Sequence, residues 1–110
     1  MKIAISSTGK ELSDGVAELF GRCPYFVIAE IENGKIVKAD AIKNDNENQA
    51  SGAGMSAAKL LVENNVNVVI ARNVGPRAID VLKQFNIEVY SGEGIINDIL
   101  QKFIDKKLKK

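Results

Sequence analysis

Histidine and tryptophan are absent from this 110-residue chain, and cysteine occurs once, as Cys23. Without histidine the commonest general base is missing, and so are Ser/His and Cys/His nucleophile pairs and the usual zinc and haem ligand sets. A single cysteine excludes an intrachain disulfide. Net charge is nearly absent as well. Lys and Arg number 15 against 14 Asp and Glu, leaving +1, so no overall field gathers nucleic acid or an anionic membrane. No segment approaches the roughly 18 apolar residues of a spanning helix, and the opening "MKIAISSTGK" turns polar after a brief apolar run; a soluble, cytoplasmic protein is expected. The carboxylates of Asp14, Asp40, Asp45, Asp80, Glu88 and Glu93 are dispersed, without the paired spacing of a nuclease or glycosidase. The "KKLKK" tail lacks interleaved aromatics, so no nucleic-acid partner is expected.

What is present suits one compact domain over residues 1–110, since 45% of the residues are hydrophobic and 26% charged. "KIAIS" reads as a first strand closed by the polar turn "STGK". "ELSDGVAELF" has helical spacing interrupted by Gly15, which suits a helix or a single helical turn. "YFVIAEIE" and "KIVKADAIKN" flank Asn33-Gly34, the pair a type I′ hairpin turn needs. After the polar loop "DNENQASGAG", a helix over Gly54 to Asn64 would bury Met55, Ala58, Leu61 and Val62. "VNVVIA" follows as a strand covered on both faces. Pro76 opens a further helix that would carry Ile79, Leu82 and Phe85 inward. "IEVYS" is the next strand, and the closing helix would bury Ile95, Ile99, Leu100, Phe103 and Ile104. This succession predicts an α/β fold with a mixed five-stranded sheet in the order 3-2-1-4-5, its second strand antiparallel, flanked by helices.

In such a sheet the default site is the crevice at the carboxyl ends of the parallel strands. Three turns are expected to face it: "STGK", "RNVGPRA" and "SGEG". The "SGAGM" loop is expected at the opposite end unless its long connection folds back. Glycine turns that open helices present unpaired N–H groups and about half a positive charge, so they suit anions. Gly75 would admit close backbone approach, Pro76 presets the first helical φ, and Arg72 and Arg77 could add full charges. Equally, glycine and proline there are ordinary punctuation and the arginines could face water. The stretch "FGRCPYF" gathers Arg22, the sole cysteine and three aromatics within seven residues. Its plain reading is a turn with Cys23 as a small buried hydrophobe; its functional reading makes Cys23 a soft metal or cluster ligand and Arg22 an anion clamp.

With "FGRCPYF", "SGAG" and "VVIARNVGPRAIDVLKQFNIEVY" in view, the sequence resembles the dinitrogenase iron-molybdenum cofactor biosynthesis family, the small NifX and NifB C-terminal type domains. The match runs along nearly the whole chain. The resemblance implies a ribonuclease H-like three-layer fold. It also implies a non-enzymatic carrier or chaperone for an anionic metal-sulfur cluster of iron-molybdenum or iron-sulfur type, or its precursor, bound reversibly. Donor and acceptor proteins for that cluster are the implied partners, and a homodimer is allowed. Carried over by position, Arg22 and Cys23 fall on the F-G-R-x-P-Y-F block, Gly52 and Gly54 on a G-x-G loop, and Asn73 and Gly75 on a glycine-proline turn. Arg72 stands where a small residue is usual. Ser51 and Leu19 occupy places where many members have histidine, so the implied holding is by charge and hydrogen bonds, with Cys23 as the one candidate metal ligand. The alternative is an interaction or regulatory module of the same fold that binds no cluster.

Overall fold

The computed structural model describes residues 1–46 and 48–108. Its strands are β1 (Lys2–Ser7), β2 (Tyr25–Glu32), β3 (Lys35–Lys43), β4 (Val68–Ala71) and β5 (Glu88–Ser91), and its helices are α1 (Ala53–Glu63), α2 (Pro76–Gln84) and α3 (Ile96–Ile104). The sheet order is β3-β2-β1-β4-β5. β2 runs antiparallel to both β1 and β3, whereas β1, β4 and β5 are parallel. The expected order and polarity are thus observed.

The hairpin joining β2 to β3 turns at Asn33 (φ 52°) and Gly34 (φ 74°), the positive pair that its sequence required. Alternation along the strands divides the apolar residues between two cores. Ala4, Phe26 and Val69 face α1 and α2, together with Phe20, Ala57, Leu61 and Leu82. Ile3, Ile5, Val27, Val68 and Ile70 face the opposite layer, where α3 supplies Ile96, Ile99 and Leu100. β4 is buried on both faces, as its unbroken apolar run demands.

Several inward faces differ from expectation in detail. α1 buries Ala53, Ala57, Ala58 and Leu61, while Met55 and Val62 lie at its margin. The alanines form the narrow stripe that lets α1 lie close to α2. Phe85 is 57% exposed, and Ile87, at 4%, occupies the inward place. The cause is the helix end: Asn86 takes a left-handed φ of 60°, its N–H bonds to Lys83 O (3.0 Å), and Ile87 N–H bonds back to Leu82 O (2.9 Å). This Schellman closure swings residue 87 into the core. At α3 the capping position is Ile95, extended and 45% exposed, so Ile96 is the first residue of the buried stripe.

Residues 11–20 form no helix. They cross the carboxyl end of the sheet, tied by Ala17 N–H to Ser6 O (2.8 Å), Val16 N–H to Gly94 O (2.8 Å) and Phe20 N–H to Asn73 O (3.0 Å). Tertiary hydrogen bonds here outweigh a helical pattern already weakened by Gly15. No helix among the described residues is long and apolar enough to cross a membrane.

Candidate anion groove

β1 ends at Ser7 and β3 at Lys43, and both pair there with Tyr25 at the start of β2. β3 therefore runs parallel to β1 and delivers the chain to the carboxyl end of the sheet. The "SGAGM" loop consequently begins α1 at the same end as the β4–α2 turn, not at the opposite end. Two reversals of direction, one between β1 and β2 and one at the hairpin turn, make this unavoidable once β3 pairs with β2.

Three segments meet in a groove of about 540 Å³: residues 19–22, residues 52–55 at the start of α1, and Asn73 with residues 75–78 at the start of α2. Arg22, Gly52, Gly54, Asn73 and Gly75 are all in its wall. Arg72 lines an adjoining groove of about 1040 Å³ that shares Leu19, Asn73 and Gly75 with the first. There Arg72 Nη2 lies 3.4 Å from Glu93 Oε2. The turns "STGK" and "SGEG" do not border the smaller groove, because residues 11–20 lie across the ends of β1 and bond to Ser6 and Gly94.

Cys23 is 1% exposed, lies in the core beside Phe20 and Phe26, and its S–H donates to Phe20 O (3.3 Å). It is not in the groove wall, so in this conformation it has the place of a small core hydrophobe. Among the described residues no group of three or more His, Cys, Asp and Glu is placed to hold a metal ion.

The glycines divide by their reasons. Gly52 caps α1 with φ 71°, a left-handed conformation that favours glycine. A Cβ on Gly21 would lie 2.6 Å from Gly54 N and 2.8 Å from its Cα, so Gly21 lets the 20–22 turn rest directly on the first turn of α1. Gly75 has neither reason, because its φ is −64° and a Cβ there would meet nothing within 4 Å. Its missing side chain leaves open space in both grooves.

Neither α1 nor α2 has a side-chain cap. Their first intrahelical bonds are Ser56 N–H to Gly52 O and Ile79 N–H to Gly75 O, each 3.0 Å. The preceding amides, those of residues 53–55 and of Arg77 and Ala78, have no acceptor within their own helices. Each helix start carries about half a positive charge, and both converge on one groove edged by Arg22 and Arg77. Arg22 Nη1 donates to the carbonyl of Gln49, which holds the guanidinium against the loop before α1.

One supporting residue did not stand out in the sequence as part of the site. Asn44 is fully buried, and its Nδ2 donates to Cys23 O (2.8 Å) and Gly21 O (3.2 Å), fixing the turn that bears Arg22. A lone asparagine after a strand gives no signal of that role. Asn73, read as a binding residue, uses its side-chain amide on Glu18 O (2.9 Å) and so clips residues 18–20 to the β4–α2 turn.

The geometry defines an α/β domain fold with an electropositive groove at a sheet end, assembled from two helix starts and an arginine turn. The chain belongs to the dinitrogenase iron-molybdenum cofactor family, whose model matches residues 1–106. It is 39% identical over 111 residues to the uncharacterized protein MJ0580 of Methanocaldococcus jannaschii, covering 100% of this chain and 91% of that one. Among solved structures it resembles the apo form of the orange protein from Desulfovibrio gigas, with a TM-score of 0.90, 28% identity, and coverage of 98% and 90% of the two chains. A putative NifB protein from Thermotoga is similar at a TM-score of 0.83, 32% identity and coverage of 99% and 91%.

Proposed function

We propose that this protein is a non-enzymatic carrier or chaperone that holds an anionic metal-sulfur cluster, or its precursor, in the groove between the starts of α1 and α2. The observation that carries the reading is the convergence of two uncapped helix starts with Arg22 and Arg77 on one groove. Family membership supports the choice of cargo. Thiometallates and iron-sulfur clusters are bulky anions whose sulfurs accept weak hydrogen bonds, so amides and guanidinium groups can hold one without a covalent ligand. Each charged contact contributes on the order of 1–3 kcal/mol, and three or four reach roughly micromolar affinity after ordering costs. Release to an acceptor protein is then fast enough for a carrier, and a cluster-donating protein would load the groove.

Anaerobic titration with tetrathiomolybdate or an iron-sulfur precursor, then gel filtration and metal analysis, tests the proposal. Metal should co-elute with the protein above the level of an unrelated control of similar charge; co-elution no higher than the control counts against it. The buried Cys23 thiol and the half-exposed Leu19 on the groove rim favour one further reading, an interaction or regulatory module that binds no cluster. Pull-down of a stable protein partner without metal would support that alternative.

A further inference from the structure

β5 is the last strand of the sheet, and the larger groove lies between its outer edge and α2. Glu88 N–H bonds to Asn67 O (3.2 Å) and Gly92 N–H to Ala71 O (3.2 Å). In a parallel ladder the intervening alternation turns the backbone groups of Val89 and Ser91 away from β4, toward that edge. The edge sequence Glu-Val-Tyr-Ser contains neither lysine nor proline, the residues that usually guard an edge strand. The opposite edge, β3, carries Lys35, Lys38 and Lys43.

We propose that this edge and groove dock a second copy of the chain through antiparallel pairing of β5 with its twin. Facing residues in such a ladder must lie on the same side of the sheet. Pairing centred on Tyr90 satisfies this and sets Val89 against Ser91 of the other copy, twice. All the outward backbone groups of both residues are then used, as two hydrogen-bonded pairs. Charge selects a second copy over an unrelated strand. One end of the edge carries Lys83 and Glu88, and the other carries Arg72 and its neighbour Glu93. The two-fold brings unlike ends together, so Glu88 of each copy approaches Arg72 of the other and Lys83 approaches Glu93. Leu19, an exposed apolar side chain at the start of α2, also lines this groove and adds apolar surface at that end of the edge. Because Asn73 and Gly75 border both grooves, the seam would run beside the proposed cargo site.

Sedimentation equilibrium over a wide concentration range tests the proposal without any cargo. Expected is a reversible shift from the 11.9 kDa monomer toward twice that mass. Ser91→Pro removes an outward N–H while sparing the β4 ladder, so it should abolish the shift with an unchanged circular dichroism spectrum. Glu88→Lys should also weaken association, and adding Arg72→Glu should restore it. A wild-type protein that stays monomeric at its solubility limit overturns the proposal. So does a dimer indifferent to both Ser91→Pro and Glu88→Lys.

Discussion

Gly21→Ala probes the junction on which the groove is built. The added Cβ would stand 2.6, 2.8 and 2.9 Å from Gly54 N, Gly54 Cα and Ala53 C, all backbone atoms. No side-chain rotation relieves such a clash, so the start of α1 must withdraw from the 20–22 turn. Overpacking of this kind costs about 1–3 kcal/mol. Replacing glycine also restricts the unfolded chain, which returns about 0.4–1 kcal/mol. The net loss is on the order of 1–2 kcal/mol, or roughly 4–8 °C in Tm for a domain of this size. Gly75→Ala is the internal control. Its φ of −64° suits alanine and the space is open, so the same entropic gain meets only a modest loss of N-cap preference, and stability should change by less than about 0.5 kcal/mol. Urea unfolding followed by circular dichroism measures both. Equal stability of Gly21→Ala and wild type, or equal damage from the two variants, would refute the packing argument.

Asn44→Ala should cost about 1–3 kcal/mol, since it leaves the buried carbonyl of Cys23 and the part-buried carbonyl of Gly21 without the amide that serves them; chemical denaturation reads this directly. Lys106 holds φ 60° in the Schellman closure of α3, with its N–H on Phe103 O and that of Lys107 on Lys102 O. Lys106→Gly should therefore stabilise by about 1 kcal/mol, seen as a higher Tm. The Cys23 thiol should resist alkylation in the native protein and react once urea unfolds it, and rapid native labelling would show that the core places it wrongly.

The sheet order was legible because each strand is marked by its own short-range signal. Asn33-Gly34 specifies the hairpin, the unbroken run at β4 specifies burial on both faces, and Pro76 marks a helix start. The faces of α1 and α2 were less legible, since a small-residue stripe such as Ala53, Ala57 and Ala58 is set by how closely the neighbouring helix approaches. The exposure of Phe85 depends on one left-handed asparagine, Asn86. At the site, Arg22, Gly52, Gly54, Asn73 and Gly75 do share a groove. Their individual reasons could not be separated in the sequence, where a glycine needed for φ, one needed for packing and one leaving open space look alike. The place of the "SGAGM" loop follows from β3 pairing beside β2, which the Asn33-Gly34 hairpin already required, so expecting that loop at the opposite end was inconsistent with the expected sheet order.

Amide NMR during anaerobic titration with tetrathiomolybdate tests the central claim most directly. The signals of Ala53, Gly54, Met55, Arg77 and Ala78 should move together and saturably, while those of the β2–β3 hairpin tip stay fixed. Saturable shifts centred elsewhere, or no shifts at these amides, would contradict the assignment of the groove as an anion site.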